Sequence, residues 1–359
     1  MNASRAWQYA RALVLSITLL VAACTSDPAA ARMVPESFAP LVKKTLPAVV
    51  NIAVTEVLNG ADVLAQLPPE LRGTPFERQF RERFRNRREQ MIGAGSGFII
   101  DPSGVIVTNN HVVGRADKIL VSLTDGREFP ARVIGFDELT DVAVIKVNAP
   151  GPLPYVTWGD SRQIEVGDWI LAAGNPFGLG GSVTAGIVSA RGRDIGAGPF
   201  DDFIQLDAPI NPGNSGGPTF NMEGQVVGVN TAIVSPTGGS VGIGFAIPSE
   251  NVAPIVANLI SKGHMDRGWL GVSVQDMPGT RTGVAIAGIE RNGPAGRAGL
   301  RPGDIVMAVN GERVDSARGL IRAVAGTPPG ATVRLTVRRQ GTNIEVPVTV
   351  GRRPPENTG

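Results

Sequence analysis

Short apolar runs, set apart by turns containing glycine, proline, asparagine or aspartate, recur along most of the chain. Ala48–Val54 reads as a strand. So do Gly97–Asp101, Val105–Thr108, Lys118–Thr124, Glu128–Phe136 and Val142–Val147. Trp169–Ala173, Val183–Ala190, Phe203–Leu206 and Gln225–Ile233 continue the series. Pro102-Ser103-Gly104, Asp125-Gly126 and Gly224 mark turns between them. Many short strands at even spacing predict an all-β barrel or sandwich. The period then changes. SENVAPIVANLISK, residues 249–262, predicts one helix with Ser249 as its N-cap and Gly263 as its stop. A second β segment begins at Trp269, with a hairpin turn at Asn310-Gly311, a helix at Ser316–Ala325 and strands at Thr332–Arg338 and Glu345–Val350. The domain boundary is therefore expected near Gly263–Gly268.

Two stretches depart from this pattern. Residues 12–23, ALVLSITLLVAA, follow Arg5 and Arg11 and are too short to span a bilayer, which takes about 20 apolar residues. A basic start, a short apolar centre and small residues afterwards predict a secretory signal peptide over residues 1–31. Cys24, after Val21-Ala22-Ala23, stands where a bacterial lipobox would place a lipidated N-terminal cysteine. Ordinary cleavage after Ala23, or at Ala29-Ala30-Ala31, is the competing reading. Either one places the protein outside the cytoplasm, and a single lipid would attach it to a membrane face without spanning it. The second stretch, residues 60–92, holds seven arginines between Arg72 and Arg88, and Phe76, Phe80 and Phe84 at a spacing that puts them on one helical face.

Composition narrows the chemistry. The 359 residues suffice for two domains. A net charge of +2 with no concentrated basic face argues against nucleic-acid binding. With two histidines and one cysteine, a Cys/His zinc site and an intrachain disulfide framework are excluded, and no Walker A motif occurs. No metal or cofactor is expected. A histidine base has two candidates, His111 and His264.

Gly213-Asn214-Ser215-Gly216-Gly217-Pro218 is the sharpest local signal. A nucleophilic serine needs an exposed tight turn whose neighbours let backbone N–H groups converge on a tetrahedral oxyanion, and flanking glycines allow it. The N–H groups of Gly213 and Ser215 are the expected donors. The same letters fit the nucleophile elbow of α/β-hydrolases. That elbow requires a following helix and a downstream acid and histidine, whereas Pro218 and a strand follow here and the only later histidine is His264. Upstream, His111 follows a strand and Asp141 heads another. His, Asp, Ser is the chymotrypsin order: Ser215 attacks, His111 moves the proton, Asp141 holds the imidazole.

The segments GSGFIIDPSGVIVTNNHVV, TDVAVIKV, GDWILAAGNPFG, TAGIVSARGR, DAPINPGNSGGPTFN, GQVVGVNTAIV and GIGFAIPS closely resemble the HtrA (Deg) family of serine proteases, over about residues 40–350. The resemblance implies a mainly β fold: a chymotrypsin-like pair of six-stranded barrels over residues 32–262, then one PDZ domain at 263–351 and a tail at 352–359. It implies ATP-independent degradation of misfolded extracytoplasmic proteins, small aliphatic residues before the cut, and homotrimers. It makes Phe76, Phe80 and Phe84 contacts of a loop that reaches a neighbouring subunit. It assigns substrate-backbone pairing to Thr231, Ala232 and Ile233, and places Asn214 with the oxyanion loop. Thr219 stands where many relatives have leucine, and no catalytic consequence is expected. Leu270, Gly271 and Val272 match the PDZ loop that receives a peptide's C-terminal carboxylate. A chaperone that binds unfolded chains and rarely cuts is the competing function, and the complete His111, Asp141, Ser215 set argues for the protease.

Overall fold

The computed structural model describes residues 36–58, 89–114, 116–178, 180–211, 213–236, 239–277 and 283–354. Cys24, the leader, and Phe76, Phe80 and Phe84 lie outside the described residues. The described residues from Leu41 onward form one unit.

Alternating or continuous apolar patterning pairs the strands into two closed barrels of six described strands each. The first comprises β1 (Val49–Leu58), β2 (Glu89–Asp101), β3 (Val105–Thr108), β4 (Lys118–Ser122), β5 (Glu128–Asp137) and β6 (Val142–Val147), with a one-turn helix α1 (Asn110–Val113) after β3. Ile52, Ile99, Ile106, Val121, Ala143 and Ile145 fill its interior. The second comprises β7 (Trp169–Gly174), β8 (Ser182–Arg193), β9 (Phe203–Leu206), β10 (Pro218–Phe220), β11 (Val226–Ile233) and β12 (Gly244–Pro248). Ile170, Val188, Ile204, Leu206, Ile210 and Val227 fill it. The short strands β10 and β12 carried no separate sequence signal. Phe98 of the first barrel meets Trp158 edge to face at 5.6 Å.

Helix α2 (Ser249–Lys262) leaves the second barrel and packs on β5 and β6 of the first through a stripe of Val252, Ile255, Val256 and Leu259. It ends as expected: Gly263 is left-handed, φ +77°, and its N–H donates to Leu259 O at 2.9 Å. Its start corrects the expectation. Pro248, not Ser249, is the N-cap, and Ser249 is already helical. The Ser249 hydroxyl donates to Gly159 O at 2.7 Å, while the Glu250 N–H donates to Ser161 Oγ at 3.1 Å. The cap comes from another segment, which no local pattern could reveal.

Strands β13 (Gly268–Trp269), β14 (Val272–Asp276), β15 (Val284–Ile289), β16 (Ile305–Val309), β17 (Glu312–Arg313), β18 (Thr332–Arg339), β19 (Thr342–Thr349) and β20 (Gly351–Arg352), with helices α3 (Pro294–Arg297) and α4 (Ala317–Ala325), build the next domain. Asn310 and Gly311, φ +52° and +86°, make the expected tight turn between β16 and β17. Ser316 caps α4 by accepting from Gly319 N–H at 3.1 Å.

Candidate active site and peptide groove

The turn at residues 137–141 delivers the first acidic side chain. Asp141 has φ +56°, a conformation uncommon outside glycine. Its surroundings hold it there. The Asp141 carbonyl accepts from Asn110 N–H at 3.2 Å and Asn109 Nδ2 at 2.9 Å. The His111 N–H donates to its Oδ1 at 2.9 Å. Oδ2 lies 2.7 Å from His111 Nδ1 and accepts from Thr231 Oγ1 at 2.9 Å. With Nδ1–H donating to the carboxylate, Nε2 of His111 is left free to accept a proton. The His111 side chain is half exposed.

Ser215 sits on a turn between β9 and β10. Asn211 O accepts from Asn214 N–H at 3.0 Å, and Gly213 has φ +97°, a left-handed conformation that favours glycine. The Gly216 N–H donates to Asn230 O, and the Asn230 N–H to Gly217 O, both at 2.8 Å. At Gly216, φ +82°, a Cβ would lie 2.3 Å from Ser96 O and Thr108 Oγ1. No larger residue lets the serine turn seat this closely on the first barrel. The same seating brings the turn against His111's neighbours. The Cβ of any residue at Gly95 would touch Val112 on one side and the Ser215 carbonyl on the other. The N–H groups of Gly213 and Ser215 have no acceptor among the described residues. The Asn214 side chain is buried beside Gly174.

Thr231, Ala232 and Ile233 run past this site at the end of β11. Ala232 and Ile233 pair with Phe245 and Gly244 of β12 on one side. On the other, pairing with β10 stops at Val229. The edge of residues 231–233 is thus open to an added strand.

Several contributors escaped sequence reading. Thr231 was expected only to pair substrate, yet its hydroxyl holds Asp141. Thr219 donates to Asn230 Oδ1 at 2.6 Å, with both side chains buried, which ties the strand after Ser215 to β11. A hydroxyl or amide at an interior-facing strand position is the available signal, because burying one without a partner costs about 1–3 kcal/mol.

In the second domain a groove of about 810 Å³ lies between β14 and α4, lined by Leu270, Gly271, Val272, Val274, Leu320, Ile321 and Val324. Leu270 O accepts from Ala295 N–H and Gly271 O from Glu290 N–H, at 2.8 and 2.9 Å. In planar trans peptides the following N–H groups, of Gly271 and Val272, then point the opposite way from those carbonyls. Gly271 adopts φ +73°. Its Cβ would crowd Trp269 and Gly293.

The outer face of α4 grips the barrels. Arg318 pairs with Asp194, and Arg322 Nε donates to Pro199 O at 2.7 Å. Loop 194–202 is itself folded around Asp201, whose carboxylate accepts the N–H groups of Ile195, Ala197 and Gly198. In the linker, the partly buried Arg267 pairs with the buried Asp137 at 2.6 Å and lies over Phe200 at 4.5 Å. His264 contacts Asp266 and Arg352 there, away from the serine turn.

A model of the trypsin-like peptidase domain matches residues 95–229, and one of the PDZ domain matches residues 268–350. A probable periplasmic serine endoprotease DegP-like from Brucella suis is 46% identical over 356 residues, covering 88% of this chain and 69% of that protein. Its counterpart in Rhizobium meliloti is 42% identical, covering 89% and 70%. Among solved structures, the HtrA-type protease AlgW with a decapeptide superposes with a TM-score of 0.71 at 39% identity, covering 89% of this chain and 99% of that one. A serine endoprotease from Yersinia pestis gives 0.67 at 33% identity, with 90% and 100% covered. In class, this is a trypsin-like serine endopeptidase joined to a PDZ domain. Identity that runs through both domains narrows it further: the chain belongs to the HtrA (Deg) family.

Proposed function

We propose that the chain is an exported, ATP-independent serine endopeptidase that cleaves unfolded or misfolded periplasmic proteins, with His111, Asp141 and Ser215 as its triad. The observation that carries the assignment is the Asp141 carboxylate, which engages the ring and backbone of His111 and the hydroxyl of Thr231 together. In this reading a substrate segment adds as a strand to Thr231, Ala232 and Ile233, which asks little of its sequence. Ser215 Oγ attacks the scissile carbonyl as His111 Nε2 takes its proton. The oxyanion rests on the N–H groups of Gly213 and Ser215. The proton passes to the leaving amine as the C–N bond breaks, leaving an acyl-enzyme. Water, deprotonated by the same imidazole, then releases the acid and restores Ser215.

The PDZ groove at Leu270, Gly271 and Val272 binds C-termini of substrates or of activating peptides. Two features support it: the carbonyls of Leu270 and Gly271, already engaged by the Ala295 and Glu290 N–H groups, which leaves the N–H groups of Gly271 and Val272 on the other side of their peptides, and the open edge of β14. The proposed organisation is a leader over residues 1–31, protease over 32–262, PDZ over 263–351 and tail over 352–359. Acylation of Cys24 would tether the enzyme to a membrane face, and homotrimers are its working assembly. The relatives' names place those proteins in the periplasm.

The test is degradation of casein, without nucleotide, by mature enzyme and by Ser215→Ala. Cleavage by the parent and none by the variant is expected, a loss of about 10⁴-fold or more. Equal cleavage by both sinks the triad. No cleavage by either, with suppressed aggregation, transfers the assignment to a chaperone. The same preparation yields the assembly by light scattering and the state of Cys24 by intact mass.

A further inference from the structure

Ser96, on β2 of the first barrel, is completely buried, and each of its polar groups is engaged. Its N–H donates to the Ser215 carbonyl at 2.8 Å. Its carbonyl accepts from Thr108 Oγ1 at 2.7 Å. Its hydroxyl accepts from Asn175 N–H at 2.8 Å and donates to Gly213 O at 2.6 Å. The direction of the hydroxyl proton is not a choice. Asn175 N–H is a donor, so the proton must lie toward Gly213 O. Asn175 is in turn fixed: Asn51 Nδ2 donates to its carbonyl at 2.9 Å, and its own Oδ1 accepts from Gly181 N–H at 3.0 Å.

The consequence falls on one peptide plane. The Gly213–Asn214 peptide lies between the two oxyanion donors, Gly213 N–H and Ser215 N–H. Its carbonyl end is held by Ser96 Oγ and its N–H end by Asn211 O. Fixing that plane fixes ψ of Gly213 and φ of Asn214, and with them the angle between the donors. Gly213 has no Cβ to restrict it, so the restraint must come from outside. It comes from the opposite barrel.

We propose that Ser96 is a positioning residue for the oxyanion site: its hydroxyl locks the Gly213–Asn214 peptide so that the N–H groups of Gly213 and Ser215 converge on the tetrahedral oxygen. This rests on the reading of Ser215 as nucleophile. Substrate need not touch Ser96. The residue acts on the transition state through Gly213, so its loss should fall on kcat and spare ground-state binding.

The experiment compares Ser96→Ala with the parent, using a peptide substrate and a peptide boronate, whose tetrahedral adduct places an oxygen in the oxyanion site. The expected result is a fall in kcat of about 10- to 100-fold with KM within about twofold, and a weakening of the boronate by a similar factor. Binding of an uncleaved peptide in the Ser215→Ala background should be unchanged by adding Ser96→Ala. A kcat and boronate affinity within about twofold of the parent overturn the proposal, as does a loss carried by KM and ground-state binding. Asn51→Ala, which keeps Ser96 but frees Asn175, should lower kcat about two- to fivefold. If Ser96→Ala does not fold, that variant decides, and an unchanged kcat in it overturns the brace. Activity in Ser215→Ala would sink the catalytic reading, whereas a normal Ser96→Ala beside an inactive Ser215→Ala removes the brace alone.

Discussion

Asp141 shows how much one residue asks of its surroundings. Its left-handed backbone costs on the order of 1 kcal/mol. Two hydrogen bonds to its carbonyl and three to its carboxylate offset that cost and aim both oxygens. Thr231 supplies the contact from the second barrel, so the carboxylate is held from both sides of the cleft. Thr231→Val keeps the shape and removes the hydroxyl. We expect kcat for a peptide substrate to fall about tenfold, the worth of one hydrogen bond to a charged group, with KM nearly unchanged. An unchanged kcat in steady-state assays would show that His111 alone orients Asp141. The residue types of the proposed triad stood out in the sequence because their order and flanking glycines are so constrained. Thr231's second role was not, since a threonine on a strand is unremarkable until the opposite barrel brings a carboxylate to it.

Elements were legible where their signals were local. The Gly263 stop and the Asn310-Gly311 turn depend on neighbours within a few positions. The start of α2 does not, because its cap is Ser161, 89 residues away. The same contrast appears in the PDZ domain at Asp304. Arg339 grips its buried carboxylate with Nε at 2.8 Å and Nη2 at 2.7 Å, and the Arg301 N–H adds a third bond. The Arg339 guanidinium, ahead of the backbone bond, holds this carboxyl below its ordinary value of 3.8. A lowered folded value means that the stabilisation is full above pH 3.8 and is lost as the pH falls below it. Asp304→Asn should therefore cost about 2 kcal/mol near neutral pH, read by hydrogen exchange of β16 and β18 amides. The gap between variant and parent should close as the pH falls below 3.8. A gap independent of pH would mean that the charge contributes nothing.

At the scale of the molecule, one helix serves two purposes. The inner face of α4 walls the peptide groove, and its outer face holds loop 194–202, which approaches Leu139 O beside Asp141. Surface pairs such as Arg318 with Asp194 contribute little by themselves. The linker contact is different, since Asp137 is buried and Arg267 is largely shielded. Arg267→Met would strand the Asp137 carboxylate and should cost about 2–4 kcal/mol. The expected signs are a lower melting temperature and faster proteolysis around residues 263–268. An unaltered melt would show that Phe200 and the helix contacts suffice to dock the domain.

By itself the sequence determined the β-rich architecture and the peptidase class, and it singled out His111, Asp141 and Ser215 as the proposed triad and Leu270, Gly271 and Val272 as the proposed groove loop. Each of these is written in residue types at short spacing: turn glycines, alternating apolar positions, a serine framed by glycines. Only the tertiary structure decided the long-range hydrogen bonds: Thr231 on Asp141, Ser161 on α2, Thr219 on Asn230, Ser96 on Gly213. Hydroxyls and amides suit many local settings equally well. Which partner each takes is set when barrel closure buries them and an unmade bond becomes costly.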